Sequence, residues 1–256
     1  MRRFSSHFYI YGWCNSQLCC ILKVPILHVR LFKENPACNI IYIMPTLIEV
    51  GAFDGSDSLN YYNNGYTVYT FEPKKDLFQN LVNKTKHLTN YTVIPKAVSL
   101  NNGTVKFNIC KAGGASSILP FRPDNVLVEN WTSNRTDIHY SGESYDVETI
   151  RLDTFIEEYE LQDRIIDFIH IDAQGVDLDC LKSLGKYIPN VLAGVVETVK
   201  DKNKSIYIGQ DDNTLDNVTE FLSMNGFKIN EIQSNDITNC EYNVFFTPLH
   251  IHRCRP

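Results

Sequence analysis

The sequence predicts an α/β protein built on a doubly wound, mostly parallel sheet with helices on both faces and an antiparallel hairpin at the end. Three observations carry this reading. The stretch LIEVGAFDG, Leu47 to Gly55, runs an apolar strand into Glu49 and then into Gly51 and Gly55, and glycine lets a backbone turn tightly and approach a ligand closely. A second apolar run, YTVYTFEP, ends in another acid, Glu72, about twenty residues on, where an acid can hold a ribose diol. From there strand-like and helix-like patterns alternate, which is how a parallel sheet with crossover helices reads in sequence.

The elements follow in order. After Pro73 the segment KKDLFQNLVNKTKHL places Leu77, Phe78, Leu81 and Val82 on one helical face. YTVIPKAVS reads as the third strand, with Lys96 and Ala97 at its end beside the ligand crevice. Asn101-Asn102-Gly103 is a turn signal leading into TVKFNIC, a hairpin or edge addition. Residues 111–148 are polar and lack periodic apolar positions; a loop of that length in a compact domain is usually functional, so they are expected to form a substrate-side insertion. VETIRLDTFIEEY then predicts a short strand and a helix with Asp153 as N-cap. IDFIHIDAQG predicts a buried strand ending in Asp172, VDLDCLKSLGKY a helix, and VLAGVVETV a buried strand reaching Glu197. DNTLDNVTEFLSMNGF predicts an amphipathic helix closed by Gly226. KINEIQ and YNVFFTP close the chain as an antiparallel pair on the sheet edge.

Composition narrows the function classes. The chain has 256 residues, 43% hydrophobic and 21% charged, with a net charge of -6. It has room for a full core, and it lacks the basic face of a general nucleic-acid binder, so no nucleic-acid partner is expected. The eight cysteines form no C-x-x-C pair, which argues against a zinc ribbon or a thioredoxin-like site. Cys180 falls in a helical apolar pattern and reads as a small buried hydrophobe. Free thiols in a reducing, cytoplasmic setting are expected; the N-x-[ST] sequons, such as those at Asn83 and Asn217, are chance matches in an asparagine-rich chain.

Residues 1–45 read as an N-terminal extension to the domain spanning 46–256. Arg2 and Arg3 followed by FYIYGW resemble the start of a signal peptide. Asn15, Ser16, Gln17 and Lys23 break the apolar runs before they reach the roughly 18 to 20 residues a membrane span needs, so no membrane span is expected.

With these segments in order, the chain resembles the FkbM-type S-adenosylmethionine-dependent methyltransferases. The resemblance rests on LIEVGAFDG, YTFEP, the ASS of KAGGASSIL, ETIRLDTFI, IDFIHIDAQGVDLDCLKSL and GVVETV, in the family's order from Thr46 to Pro248. It implies a class I methyltransferase fold with a seven-stranded sheet, S-adenosyl-L-methionine as cofactor, and methyl transfer to an oxygen, often a hydroxyl of a sugar, glycan or small metabolite. Carried over residue by residue, it implies that Glu49, Gly51 and Ala52 line the methionine end of the cofactor. Gly55 lets the following helix start close by, Glu72 binds the ribose hydroxyls, and Lys96 and Ala97 border the adenine. Asp172 lies beside the sulfonium and the acceptor. Two positions depart from the family's habit, His170 in place of a lysine and Gln174 in place of a second acid. The rival readings are a noncatalytic module of the same fold and a nicotinamide-dependent oxidoreductase; the latter lacks its G-x-G-x-x-G fingerprint.

The chemistry nominates Asp172, His170 and Glu197 as catalytic candidates. A sulfonium methyl is already electrophilic, so the protein must orient the acceptor, exclude water and accept a proton. His170 shares a strand face with Asp172 and reads either as a base or as a hydrogen-bonded strand histidine. Asp172 and Glu197 end neighbouring strands and offer the hard oxygen ligands magnesium favours, yet no third acid has suitable spacing, and no obligatory metal is expected. Asp177 and Asp179 fit the first turn of a helix. Ser116 and Ser117 read as a ligand-touching loop or a solvated turn. Trp131, His139 and Tyr140 read as a stacking wall or as a loop's own small core.

Overall fold

A computed structural model describes residues 44–111, 114–123, 138, 140–235 and 240–250. Most of the N-terminal extension, together with Trp131 and His139, lies outside the described residues.

The main sheet has seven strands: β1 (Thr46–Val50), β2 (Thr67–Phe71), β3 (Tyr91–Ile94), β7 (Phe168–Ile171), β8 (Gly194–Val199), β9 (Phe227–Ser234) and β10 (Glu241–Pro248). Their order is β3-β2-β1-β7-β8-β10-β9. The first five pair in parallel, and β10 runs antiparallel between β8 and β9, the terminal antiparallel pair expected from the sequence. Every residue of β1 and β8 is buried, which is why these strands read as continuous apolar runs rather than alternating ones.

A second sheet of three strands orders β4 (Ala97–Val98), β6 (Tyr140–Ile150) and β5 (Gly103–Cys110) as β4-β6-β5. Two expectations change here. YTVIPKAVS is not one strand: β3 stops at Ile94, and β4 joins the second sheet beside β6. Pro95 falls at the break, because proline cannot donate to a ladder. The polar stretch 111–148 is also not irregular throughout, since its end is the first part of the eleven-residue β6, antiparallel to β5. Its outer half is mostly exposed, so it carries no apolar alternation for a sequence pattern to detect.

Among the described residues five α-helices connect the strands: α1 (Ser56–Asn63), α2 (Lys75–Thr85), α3 (Leu152–Glu158), α4 (Asp177–Lys182) and α5 (Leu215–Met224). The N-cap of α3 is Arg151, not Asp153. The Ser183 hydroxyl accepts the Leu152 amide at 3.1 Å, and its carbonyl accepts the Asp153 amide at 2.9 Å. A residue about thirty positions away thus satisfies the orphan donors that a local cap would take. Asp153 stays in the first turn, paired with Arg151 at 2.6 Å. Asn225 caps α5, and Gly226 follows with φ +80°, the left-handed conformation glycine supplies after a helix.

The core joins both sides of β1. Phe155 on α3 meets Phe71 edge to face at 5.0 Å, Tyr69 at 5.5 Å and Tyr159 at 4.6 Å between ring centroids. Cys110, Cys180 and Cys240 are buried, as the apolar setting of Cys180 implied. Among the described residues no helix is long and apolar enough to cross a membrane. Phe155→Ala should cost about 3–5 kcal/mol, the usual loss for emptying a fully buried aromatic site, read as a lower urea midpoint at unchanged slope.

Candidate functional site

The strand order reverses between β1 and β7: from β1 the chain goes outward through β2 and β3, then returns to β7 on the other side. Ligands of open α/β sheets bind at such a switch point, beyond the carboxyl ends of the strands. Register sets what lies there. Glu49 is paired with Thr70 on one side and His170 on the other, so the three form one row across the sheet. The next row, Phe71, Val50 and Ile171, is apolar and buried. Glu49, only 2% exposed, accepts the Thr70 hydroxyl at 2.5 Å. Its other oxygen stands 3.7 Å from His170 Nδ1. Asp57, on the first turn of α1, adds a carboxylate, and one polar atom from each of Glu49, Asp57 and His170 lies within 4.8 Å of the others. Burial alone would lower the His170 pKa, but its bond to Glu49 and the charges of Glu49, Asp172 and Asp57 outweigh this and raise it. Burial raises the Asp57 pKa, against the pull of His170.

Beyond β1 the chain turns at Gly51, φ +86°, where a Cβ would stand 1.9 Å from the carbonyl oxygen of Asp172. The Gly51 and Ala52 amides both donate to the Phe71 carbonyl, at 3.1 and 3.0 Å. Phe53 follows with φ +49° and 45% exposure, a strained conformation for a bulky residue. Glu72 holds this turn: its carboxylate accepts the Phe53 amide and the Lys74 amide, each at 2.8 Å. Burial pushes its pKa up to about 7 despite those two donors.

The turn after β7 is equally constrained. Gln174 has φ +54° and Gly175 φ +104°. Asp177 accepts the Ala173 amide at 2.5 Å, the Gly175 amide at 3.0 Å and the Asn213 side-chain amide at 2.8 Å. It therefore does more than favour a helix dipole: it pins the turn. Ser117 donates to the Gln174 carbonyl at 2.6 Å. The turn presents Gln174 Nε2 to Asp172 at 2.6 Å and to Glu197 at 3.0 Å. The Tyr207 hydroxyl stands 2.8 Å from Gln174 Oε1. Asp172 and Glu197 thus share one amide as a common donor. Burial and the charges of Asp172 and Glu241 hold the Glu197 pKa well above the ordinary carboxylate range.

One cavity of about 240 Å³ gathers Glu49, Gly51, Ala52, Glu72, Lys96, Ala97, His170 and Asp172. Gly55 and Glu197 are not among its lining residues. Gly55 adopts φ +77° as the N-cap of α1, and a Cβ there would meet Leu81 Cδ1 at 2.3 Å, so it serves helix packing. Glu197 is buried and accepts from Gln174 without lining the cavity. Sequence reading did not single out Phe53, Asp54 or Lys74 as lining residues, nor Asp57. Asp57 had a signal, since an acid two residues after the second glycine falls on the first helical turn facing the ligand. Ser116 lines the cavity, whereas Ser117 supports the Gln174 turn. Tyr140 stacks on Phe121 at 5.8 Å, and Phe121 packs on Tyr207 at 5.2 Å, a small aromatic core of that region's own.

The Methyltransferase FkbM domain model matches residues 49–229, from the buried acid of β1 into β9. The chain belongs to the FkbM methyltransferase family. No curated protein matches it significantly. Solved structures similar to this FkbM protein include an rRNA methylase from Streptococcus thermophilus (TM-score 0.43, 11% identity, covering 81% of this chain and 88% of that one). A ribosomal protein L11 methylase from Lactobacillus delbrueckii subsp. bulgaricus gives 0.43 and 10%, covering 81% and 72%. Fibrillarin from Aeropyrum pernix, with S-adenosyl-L-methionine bound, gives 0.42 and 9%, covering 79% and 66%. These likenesses are remote and carry nothing about the acceptor. The protein is an S-adenosylmethionine-dependent methyltransferase, and its cavity suits that cofactor. Glu49 and Asp57 offer carboxylates to an ammonium, Glu72 keeps further lone pairs for hydroxyl donors, and Gly51 lets the turn pass against the Asp172 backbone.

Two outcomes test this site. Gly51→Ala should cost about 1–3 kcal/mol of stability and abolish S-adenosylhomocysteine binding, read by denaturation and calorimetry. Glu72 holds its proton longer in the folded state, so between its ordinary value and about 7 the native state binds more protons than the unfolded one. Stability must fall as pH rises through that window. Urea midpoints should show wild type losing stability relative to Glu72→Gln across it, with the difference level above and below.

Proposed function

We propose that the protein methylates a hydroxyl oxygen on a sugar, glycan or small metabolite. The observation that carries this is the charge of the cavity wall. Five carboxylates, Glu49, Asp54, Asp57, Glu72 and Asp172, face two lysines, Lys74 and Lys96, in a chain of net charge -6. Such a wall repels a polyanion and accepts a neutral, hydroxyl-rich molecule. Gly114, Ser116 and Ile118 bring the 111–148 segment to the same cavity, which supports a role for that segment in selecting the acceptor. The buried thiol of Cys180 fits a reducing, cytoplasmic setting.

When bound, the sulfonium supplies a methyl group that is electrophilic without further activation. The chain's residues do the rest. Glu49 takes the ammonium, Glu72 the ribose hydroxyls, and Lys96 and Ala97 the side of the adenine. Asp172 accepts the hydrogen bond of the acceptor hydroxyl, holds its oxygen for attack and receives its proton. Gln174, donating to Asp172, keeps that carboxylate from turning away. Exclusion of water falls to Phe53 and Ile118 at the cavity wall.

Incubation of labelled cofactor with host-cell extract should give labelled glycan or small hydroxylated product; label in RNA or protein alone would overturn the acceptor class. Asp172→Asn should lower kcat about 10²- to 10⁴-fold, the range for a group engaged in proton transfer, while the cofactor Kd changes little. A variant with full turnover would remove Asp172 from the mechanism.

A further inference from the structure

We propose that the His170 imidazolium and the ammonium of the methyl donor compete for the same carboxylates, so that donor binding expels a proton from His170. This rests on the reading that Glu49 receives the donor's ammonium.

The geometry places His170 as the resident cation of an acidic seat. On β1, Glu49 has one oxygen committed to Thr70 and turns the other to His170 Nδ1 at 3.7 Å. From α1, Asp57 closes the cluster, with Asp54 behind it. Beyond the end of β7, Asp172 faces the same ring. On β8 the register partner is Val195, buried and apolar. From β3, the Tyr91 hydroxyl is held by Ser58 at 2.6 Å. Anionic groups therefore surround the ring from β1, α1 and the post-β7 turn, and Lys74 and Lys96 accompany Glu72 and Ala97 elsewhere on the wall.

Those carboxylates sustain the charged ring, and the rise in its pKa that they cause despite burial agrees with this. A donor ammonium seated on Glu49 adds a second cation a few ångströms away, and the sulfonium adds another positive charge. Like charges that close in a partly buried site do not both persist, and of the two the imidazole, ordinarily a weaker base than an α-amino group by about one pKa unit, yields its proton first. Donor affinity is then linked to pH: it weakens as the pH falls and His170 holds its proton more firmly. In the loaded site His170 is neutral. A lysine in this place would hold its charge through the same range, so the histidine makes the seat responsive.

The test is calorimetry on the full chain with S-adenosylmethionine and with S-adenosylhomocysteine, from about pH 5.5 to about pH 8, in buffers of differing ionisation enthalpy. Wild type should release about one proton more per donor bound than His170→Gln. Its affinity should fall by up to about tenfold more per pH unit on acidification than the variant's. Glu72 titrates in both proteins, so the difference isolates His170. At the acid end His170→Gln should bind more tightly than wild type, a gain that loss of a merely structural residue would not give. The imidazole resonances of wild type should also titrate at lower pH with S-adenosylhomocysteine bound, a readout that needs no variant. Equal proton release by wild type and His170→Gln, or an unmoved imidazole titration, would overturn the linkage. If wild type bound neither compound at any pH, the donor reading would fall, and the linkage with it.

Discussion

The buried carboxylate of Glu49 is the constraint around which the rest of the site is arranged. A carboxylate at 2% exposure is costly unless its oxygens are engaged, and the parallel register engages both. β2 brings Thr70 to one oxygen and β7 brings His170 to the other. A slip of one residue in either pairing would set Phe71 or Ile171 beside Glu49 and turn a polar row into the core. The same register that fills the core with Val50, Phe71 and Ile171 therefore also builds the polar floor of the cavity. Packing and function are set by one alignment of three strands.

Above that floor, two tight turns must nearly touch. Gly51 passes so close to the Asp172 carbonyl that a single Cβ would collide with it. Each turn also contains a non-glycine residue at positive φ, Phe53 in the first and Gln174 in the second. Backbone held in this region persists only where its surroundings over-determine it. Glu72 does this for the first turn by taking the Phe53 and Lys74 amides. Asp177, Asn213 and Ser117 do it for the second. Glu72 thus acts structurally before it meets a ligand, and the acid that sequence reading assigns to a ribose also keeps the loop in shape to receive one.

The main sheet was legible because its signals are local. Buried parallel strands give unbroken apolar runs, and an acid followed by spaced glycines marks the turn after β1. The switch point made Glu49, Glu72, His170 and Asp172 findable, since each stands at or just past a strand end. What escaped depends on distant partners or on exposure. Pro95 looked like an irregularity inside one strand and instead divides two sheets. β6 hid because its outer half faces solvent. Asp153 had the residue type of a cap, but Ser183 supplies the cap from far along the chain. Asp177 looked like a helix-dipole acid, and only the fold shows that it pins the Gln174 turn. Glu197 lies on β8, beside the strand that Asp172 follows, and the two acids share the Gln174 amide, yet Glu197 does not line the cavity.

The charge state of the site follows from crowding. Several carboxylates share a small, partly enclosed space, and burial works against the charged form of Asp57, Glu72 and Asp177. Burial and neighbouring charges hold the Glu197 pKa well above the ordinary range, which leaves Asp172 hydrogen-bonded to an amide rather than confronted by a second full charge. On the competition proposed above, a cation entering near Glu49 takes the place of the His170 imidazolium's charge among acids already oriented by the sheet and its turns. Little reorganisation then accompanies binding, and preorganised charge of this kind favours a cationic cofactor over a neutral isostere.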